Sequence, residues 1–168
     1  MTEILTRRIV PDLVLRDATQ ADIPIFFEYE SDPQAVHMAA FTAKDPADRA
    51  AHTAHWVKIM ALASVKIKTI LADGVVVGSV LSYEDEGHTE VSYWIGRPYW
   101  GRGIATAALK AFMEFQTVRP LYARAAKDNL ASIRVLQKCG FAITAEEQGF
   151  ANARGQEIAE LVLVIQTV

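Results

Sequence analysis

The chain has 168 residues, of which 51% are hydrophobic and 22% charged, and its formal net charge is −3 at pH 7. This size and composition predict one globular domain over 1–168 rather than a disordered chain. The negative net charge disfavours a general nucleic-acid partner, and the sequence has no apolar run long enough to predict a membrane partner.

Cysteine and histidine usage predicts a cytoplasmic protein without a metal site. Cys139 is the sole cysteine, so the chain forms no internal disulfide and suits a reducing compartment. The four histidines show no metal-ligand spacing, and we therefore expect no metal. The N-terminal sequence MTEILTRR lacks the apolar region of a signal peptide.

The first third of the chain predicts a strand followed by two helices. Residues 12–17 alternate apolar and polar side chains, which is typical of a half-buried strand. A capping-box pattern at 19–22 begins a helix that we expect to end before Pro33. Apolar residues at helical spacing predict the second helix over 45–64, and the aperiodic VHMAAFTAKDPAD before it is expected to be a loop.

The remaining sequence predicts six further strands and two helices. VKIKTILAD and VVVGSVLSYED are joined by Asp73-Gly74, a dipeptide favoured in two-residue hairpin turns because both residues need positive φ. The third strand, TEVSYWIG, precedes a helix over 104–117 with a continuous apolar face. The strand LYARAA leads to a helix over 129–139 ended by Gly140, and FAITAEE and EIAELVLVIQT complete a mixed sheet flanked by helices.

The segment RPYWGRGIAT joins a strand to a helix and predicts an anion site. Gly101 and Gly103 let backbone amides approach an anion, and a helix N-terminus has unpaired amides and a positive partial charge. Arg97 and Arg102 add charged donors for a phosphate. The alternative is a glycine-rich turn that only begins a helix. The segment lacks the Lys of a Walker loop, and Thr106 replaces the third glycine of a dinucleotide fingerprint.

Two linked motifs resemble those of the GNAT superfamily of N-acetyltransferases. The first is W-G-R-G-I-A over 100–105, where the family has Q/R-x-x-G-x-G/A, and Trp100 replaces the leading Gln or Arg. The second, N-x-x-S-x-x-V-L-x-K-x-G-F, covers 129–141. The likeness spans nearly the whole chain and is greatest with the ribosomal-protein N-terminal (RimJ/RimL-like) branch. It implies an α/β (α+β) fold with a mostly antiparallel sheet of about seven strands, splayed in the middle and flanked by about four helices.

The resemblance also implies that acetyl-CoA is the co-substrate. Its pyrophosphate is expected to bind the backbone at Gly101, Arg102, Gly103, Ile104, Ala105 and Thr106. Its pantetheine arm is expected to pair with the strand at Tyr93, Trp94 and Ile95. Further cofactor contacts are expected from Asn129, Ser132 and Lys138, although a solvated Lys138 is an alternative.

Glu90 and Ser132 are the candidate catalytic residues. Glu90 aligns with a glutamate that recurs in the resembling branch, and we expect it to act as the base through water; a solvated strand-start carboxylate is the alternative. Ser132 is expected to protonate the thioester sulfur or donate a hydrogen bond to it, because Leu136 stands where many GNAT enzymes have a Tyr. Ser132 could instead be a small residue packed for clearance, with the thiolate leaving unprotonated. Cys139 is expected to be buried filler.

The acceptor is expected to bind near the helices over 19–64, where Trp56 is interpreted as core packing. The branch favours direct acetyl transfer, in a ternary complex, to a protein or peptide N-terminal α-amine. A small amine (polyamine, amino acid or antibiotic) and a non-catalytic acyl-CoA-binding module are the alternatives. Both a monomer and a homodimer are open, the latter through an exposed edge of EIAELVLVIQT.

Overall fold

The computed structural model describes residues 11–168 and contains, in that range, one seven-stranded sheet and five α-helices. The strands are β1 (Leu13–Asp17), β2 (Lys66–Ala72), β3 (Val75–Asp85), β4 (His88–Ile95), β5 (Leu121–Ala126), β6 (Ala142–Ala151) and β7 (Gln156–Ile165). The helices are α1 (Ile23–Glu30), α2 (Pro33–Ala39), α3 (Arg49–Met60), α4 (Ile104–Phe115) and α5 (Leu130–Lys138). MTEILTRR, on which the signal-peptide expectation rests, lies outside the described residues. Within 11–168 no helix is both long and apolar enough to cross a bilayer.

The sheet confirms the predicted mostly antiparallel topology and its central splay. Its strand order is β1-β2-β3-β4-β5-β7-β6, and β4–β5 is the parallel pair. These two strands pair only at Thr89–Leu121 and Glu90–Tyr122. Beyond them, 91–95 of β4 and 123–126 of β5 diverge, and we call the space between them the strand gap.

Helices cover both faces of the sheet and bury the two larger of its three apolar clusters. The predicted apolar face of α4 packs into the larger one through Ile104, Ala108, Leu109 and Phe112. On the other face, Trp56 is 2% exposed and its ring lies 4.7 Å from that of Phe26, which confirms its packing role. Burying side chains of this size stabilises the fold by about 1.5–3 kcal/mol each.

Helix α2 corrects the predicted loop over 36–48 and raises the helix count from about four to five. The Asp32 side chain accepts a hydrogen bond from Ala35 N at 3.0 Å, and Pro33 occupies the first turn, where its missing N–H is harmless. The same Asp-Pro pair therefore ends one helix and begins the next. The predicted start of α3 at position 45 is also wrong, because Asp48 caps that helix.

The predicted hairpin turn is confirmed, but the predicted sheet edge is wrong. Asp73 and Gly74 have φ values of 50° and 79°, as a turn with two positive φ angles requires. Strand β7 lies between β5 and β6, so β6 forms the edge and β7 offers no free edge to a second copy.

Asp22 joins the first helical turn to the sheet. Its carboxylate accepts hydrogen bonds from Thr19 N at 2.9 Å, Arg16 Nη1 at 2.7 Å and Thr69 Oγ1 at 2.8 Å. Thr19 and Asp22 thereby form the predicted capping box. Burial alone would raise the pKa of Asp22, but these donors lower it to about 2.

We expect Asp22→Asn to reduce the free energy of unfolding at pH 7 by about 2 kcal/mol. A carboxylate whose pKa is lower in the folded chain stabilises it above about pH 4, and this stabilisation is lost as the pH falls through the folded value. Urea unfolding from pH 7 to pH 2 should therefore show wild type and variant converging. Asp17→Asn, at an exposed ion pair with Lys68, is the control and should have a smaller effect. A difference that stays constant down to pH 2 would contradict this account.

Candidate active site

One edge of β4 presents main-chain groups to the strand gap. Gly96 N donates to Val77 O at 2.8 Å, so Gly96 and the opposing Val77 form a hydrogen-bonded pair between the strand ends of β4 and β3. Pair types alternate along an antiparallel ladder, so Tyr93 and Ile95 belong to the other type and direct their main-chain groups away from β3. The main-chain groups of Trp94 face β3 instead. The expected main-chain pairing of a ligand with Trp94 is therefore wrong, whereas the geometry suits Tyr93 and Ile95.

Trp100 fixes the start of the glycine-rich loop to the end of β4. Its indole Nε1 donates to Ile95 O at 2.8 Å. This bond occupies the Ile95 carbonyl and leaves its N–H facing the strand gap. The loop is thus held beside the gap by a side chain from within its own motif.

The loop forms a cradle of unpaired amides. Gly101 and Gly103 have φ values of 76° and 74°, and a Cβ added to either would meet no atom within 4 Å. Among the described residues, no acceptor bonds the amides of 101–106; the first bonded amide is that of Ala107, which donates to Gly103 O at 3.1 Å. These amides, at the start of a 12-residue helix, fit the diphosphate of acetyl-CoA.

The two arginines beside this loop have different roles. Arg97 donates through Nε to Asp32 at 3.0 Å and through Nη1 to Gln34 at 3.2 Å. It therefore joins the loop to α2 and is not the free phosphate donor that we expected. Arg102 is exposed, with its guanidinium carbon 5.8 Å from the centroid of the Tyr99 ring, and remains available to an anion.

The end of α5 lies beside the first turn of α4. Cys139 Sγ is 3.6 Å from Thr106 O, and burial raises the pKa of the thiol. Cys139 is therefore a buried neutral thiol, as expected. Lys138, the preceding residue, is exposed.

The start of α5 brings two hydroxyl groups together at the strand gap. Asn129 Oδ1 accepts from Ser132 N at 3.3 Å and caps the helix. Ser132 Oγ lies 2.9 Å from the Tyr93 hydroxyl, a partner that the sequence did not reveal. Burial raises the pKa of Tyr93 to about 12, so the phenol keeps its proton. Leu136 is buried in the core and supplies no polar group.

Glu90 is buried at the closed end of the gap and is not the solvated carboxylate of the alternative reading. It is 3% exposed and accepts from the Tyr83 hydroxyl at 2.8 Å and from Arg124 Nε at 3.0 Å, while His88 Nε2 lies 3.1 Å away. Burial alone would raise the pKa of Glu90, but these partners lower it below its usual value. Glu90, His88 and Asp85 place potential ligand atoms within 4.8 Å of one another, but the nearby guanidinium disfavours a metal cation.

Arg124 links Glu90 to two further carboxylates that sequence reasoning missed. Its Nη1 donates to Glu147 at 2.6 Å and to Glu160 at 3.1 Å. Burial raises the pKa of Glu160, and Arg124 offsets this only in part. We call Glu90, Arg124, Glu147 and Glu160 the carboxylate cluster. Alternation in LYARAA indicates only which strand face Arg124 occupies, and its partners come from strands whose register the sequence does not give.

On the sheet face that carries the carboxylate cluster, residues 32–42 form a strap that crosses both halves of the sheet. Arg154 donates through Nε to His37 O at 2.8 Å, and Asn152 donates through Nδ2 to Thr42 O at 2.8 Å. Both donors belong to the turn between β6 and β7. The other end of the strap is bonded to the glycine-rich loop, so its contacts reach both sides of the strand gap.

The strap ends in a tight turn at Ala40. This residue has φ 66° and ψ −56°, and Phe41 N donates to Ala39 O at 2.7 Å, which defines a γ-turn. Such a conformation costs about 1–3 kcal/mol and persists only where packing imposes it. Ala40 is buried against Ala126 and Ala151, so this packing fixes the path of the strap.

The sequence from 12 to 142 matches the acetyltransferase (GNAT) domain family. The chain belongs to the GNAT acetyltransferase family. It is accordingly an acetyl-CoA-dependent N-acetyltransferase, which confirms the predicted enzyme class and co-substrate. A comparison with curated protein sequences found no match.

Solved structures confirm the GNAT fold. The ribosomal-protein-alanine N-acetyltransferase from Brucella melitensis has a TM-score of 0.76 at 21% identity, over 91% of this chain and 99% of that chain. RimJ of Mycobacterium smegmatis, in complex with CoA-disulfide, has a TM-score of 0.72 at 22% identity, over 92% and 81%. The microcin C7 self-immunity acetyltransferase MccE, in complex with acetyl-CoA and AMP, has a TM-score of 0.76 at 16% identity, over 94% of both chains.

We expect Gly103→Ala to weaken acetyl-CoA binding about tenfold. A side chain in the left-handed conformation costs about 1–2 kcal/mol, so the loop should shift and misalign its amides, and 1.4 kcal/mol corresponds to a tenfold change. Calorimetry with acetyl-CoA measures the dissociation constant directly.

Gly74→Ala is the matched control. Gly74 has φ 79° and open space around it, but lies in the β2–β3 hairpin. We expect a similar loss of stability with unchanged acetyl-CoA affinity. Unchanged affinity in Gly103→Ala as well would exclude the loop as the binding site.

Proposed function

We propose that this GNAT enzyme acetylates the N-terminal α-amine of a peptide or protein by direct attack in a ternary complex. The observation that carries this proposal is the carboxylate cluster at the closed end of the strand gap. Three carboxylates, Glu90, Glu147 and Glu160, surround the single guanidinium of Arg124. The net negative charge of the carboxylate cluster favours approach of a cationic amine.

The charge and openness of this face suit a peptide N-terminus. The Glu147 side chain is 53% exposed, so the cluster is open to solvent rather than enclosed. An α-amine titrates near 8 and a lysine amine near 10.4, so the α-amine is more easily deprotonated for attack. The motif resemblance and the fold shared with a ribosomal-protein-alanine N-acetyltransferase support this acceptor class.

We further propose how the chain holds acetyl-CoA, which supplies an activated acetyl thioester. The amides of 101–106 bind the diphosphate, and the exposed side chains of Arg102 and Lys138 contact phosphate groups. The main-chain groups of Tyr93 and the N–H of Ile95 pair with the pantetheine amides, since they face the strand gap. The side-chain amide of Asn129, whose oxygen caps α5, keeps its nitrogen for a cofactor contact.

Two groups of donors serve the reacting thioester in this proposal. The β4 main-chain amides that face the gap provide donors for a developing oxyanion. The Ser132 hydroxyl donates to the sulfur, and the protonated Tyr93 hydroxyl supports it at 2.9 Å. The hydroxyl pair thus supplies the donor to the sulfur that a Tyr at the position of Leu136 would otherwise provide.

A small-molecule amine is the second candidate acceptor. It is favoured by the equally similar fold of MccE, whose structure contains AMP beside acetyl-CoA. The residues around the strand gap do not exclude it, because a shared fold does not determine the acceptor.

An acceptor screen with thiol release as its readout tests the proposed function. Peptides with free N-termini should be acetylated at least tenfold more efficiently, by kcat/KM, than amino acids, polyamines or aminoglycosides, and peptides with a blocked N-terminus should be inert. Faster transfer to a small amine would replace the proposal with the second candidate. Binding of acetyl-CoA without transfer to any amine would indicate a non-catalytic module.

Glu147→Gln tests the role of the cluster within the same screen. We expect KM for the peptide to rise about threefold with little change in kcat, because exposed charges contribute about 0.2–1 kcal/mol each. Glu146→Gln is the matched control, since Glu146 points to the other face of β6 and pairs with Lys127. An equal KM effect in both variants would contradict a specific role for the cluster.

A further inference from the structure

We propose that His88 is the proton acceptor for the attacking amine and that Glu90 is its anionic partner. This inference rests on the proposed transfer to an amine, but not on which amine is used. It changes the role of Glu90 from the expected base to the residue that orients the base and places a negative charge beside it.

The hydrogen bonds of Glu90 decide which nitrogen of His88 carries a proton. Tyr83 and Arg124 donate to the Glu90 carboxylate, and His88 Nε2 lies 3.1 Å from Glu90 Oε1. An ionised carboxylate only accepts hydrogen bonds, so Nε2 is the donor. Neutral His88 then holds its lone pair on Nδ1, for which the described residues offer no hydrogen-bond partner.

Exposure also separates the two residues. The Glu90 side chain is 4% exposed and surrounded by donors, whereas the His88 side chain is 24% exposed. The His88 ring lies 4.3 Å from that of Tyr122, and Tyr122 is opposite Glu90 in the last pair before the strands diverge. The imidazole therefore lies at the closed end of the strand gap, with access to solvent that Glu90 lacks.

The nearest charged groups around the His88 ring are acidic. Glu90 lies two residues along the same strand, and Asp85 is directly opposite on β3. Tyr83 and Tyr122 contribute hydroxyl groups, and the guanidinium of Arg124 is paired with the carboxylates of Glu90, Glu147 and Glu160. The net charge of the groups that face the ring is therefore negative.

The step balances with groups already present. As the amine nitrogen bonds to the acyl carbon, its N–H bond breaks and the proton binds His88 Nδ1. The electron pair of that N–H bond stays on nitrogen, and the leaving thiolate takes the pair of the broken C–S bond. The imidazolium ion then returns its proton to water at the exposed edge of the ring, so no oxidant or further reactant is needed.

His88→Gln is the decisive variant. Glutamine keeps an amide N–H that can donate to Glu90 but has no basic lone pair. We expect kcat at pH 7 to fall about 10²-fold, because general-base catalysis contributes about 10²–10⁴-fold. The acidic limb of the kcat–pH profile should disappear, whereas the exposed His55→Gln control should keep both rate and profile.

Two acceptors of different amine basicity separate an enzyme group from the substrate. An acidic limb that stays in place when the acceptor is changed belongs to the enzyme. A limb that moves with the amine, or one that survives in His88→Gln, would overturn the proposal. Recovery of His88→Ala activity by added imidazole is expected, and a purely structural His88 would show none.

The free protein provides a readout independent of activity. Nitrogen chemical shifts of the His88 ring should show the Nε2–H tautomer when it is neutral, and Glu90→Gln should abolish this preference. An Nδ1–H tautomer in the wild type would refute the proposal. If peptides fail as acceptors but a small amine reacts, the proposed acceptor is wrong and the same variants are measured with that amine; if no amine reacts, both proposals fail.

Discussion

Two residue pairs hold β4 beside β5, and the early divergence of these strands determines how the rest of the site is built. Beyond Glu90–Tyr122, β4 has main-chain groups at Tyr93 and Ile95 that no strand satisfies. A buried unpaired amide or carbonyl costs about 1–3 kcal/mol. An extended ligand that carries amides can pair with these main-chain groups and remove that cost. The cradle at 101–106 and the hydroxyl pair of Tyr93 and Ser132 are arranged along that same opening.

The parts of this architecture that the sequence predicted are those with local causes. The Asp73-Gly74 turn, the capping box at Asp22 and the glycine-rich loop each depend on residues within a few positions of one another. Helix α2 was missed because Asp32-Pro33 was interpreted only as a stop, although the same pair is a favourable helix start. Local patterns thus place the elements, and an ambiguous pattern needs the packing around it to be resolved.

The chemistry of the site depended on contacts that sequence cannot reveal. Motif resemblance located Glu90, but its state depends on Tyr83 from β3 and Arg124 from β5, which reach it only in the folded register. The same holds for the bond between Tyr93 and Ser132, which are 39 residues apart. A carboxylate that is easy to find from its motif can therefore differ, in charge and access, from the base that the motif suggests.

Trp100 shows what the first position of the loop motif requires. Glutamine, arginine and tryptophan differ in charge and shape, but each side chain carries an N–H donor. Here the indole N–H donates a hydrogen bond to Ile95 O at 2.8 Å and joins the loop to the strand. In this chain the position supplies a hydrogen-bond donor of sufficient reach rather than a positive charge. A motif definition restricted to glutamine or arginine would overlook sequences that satisfy the same physical need with an indole.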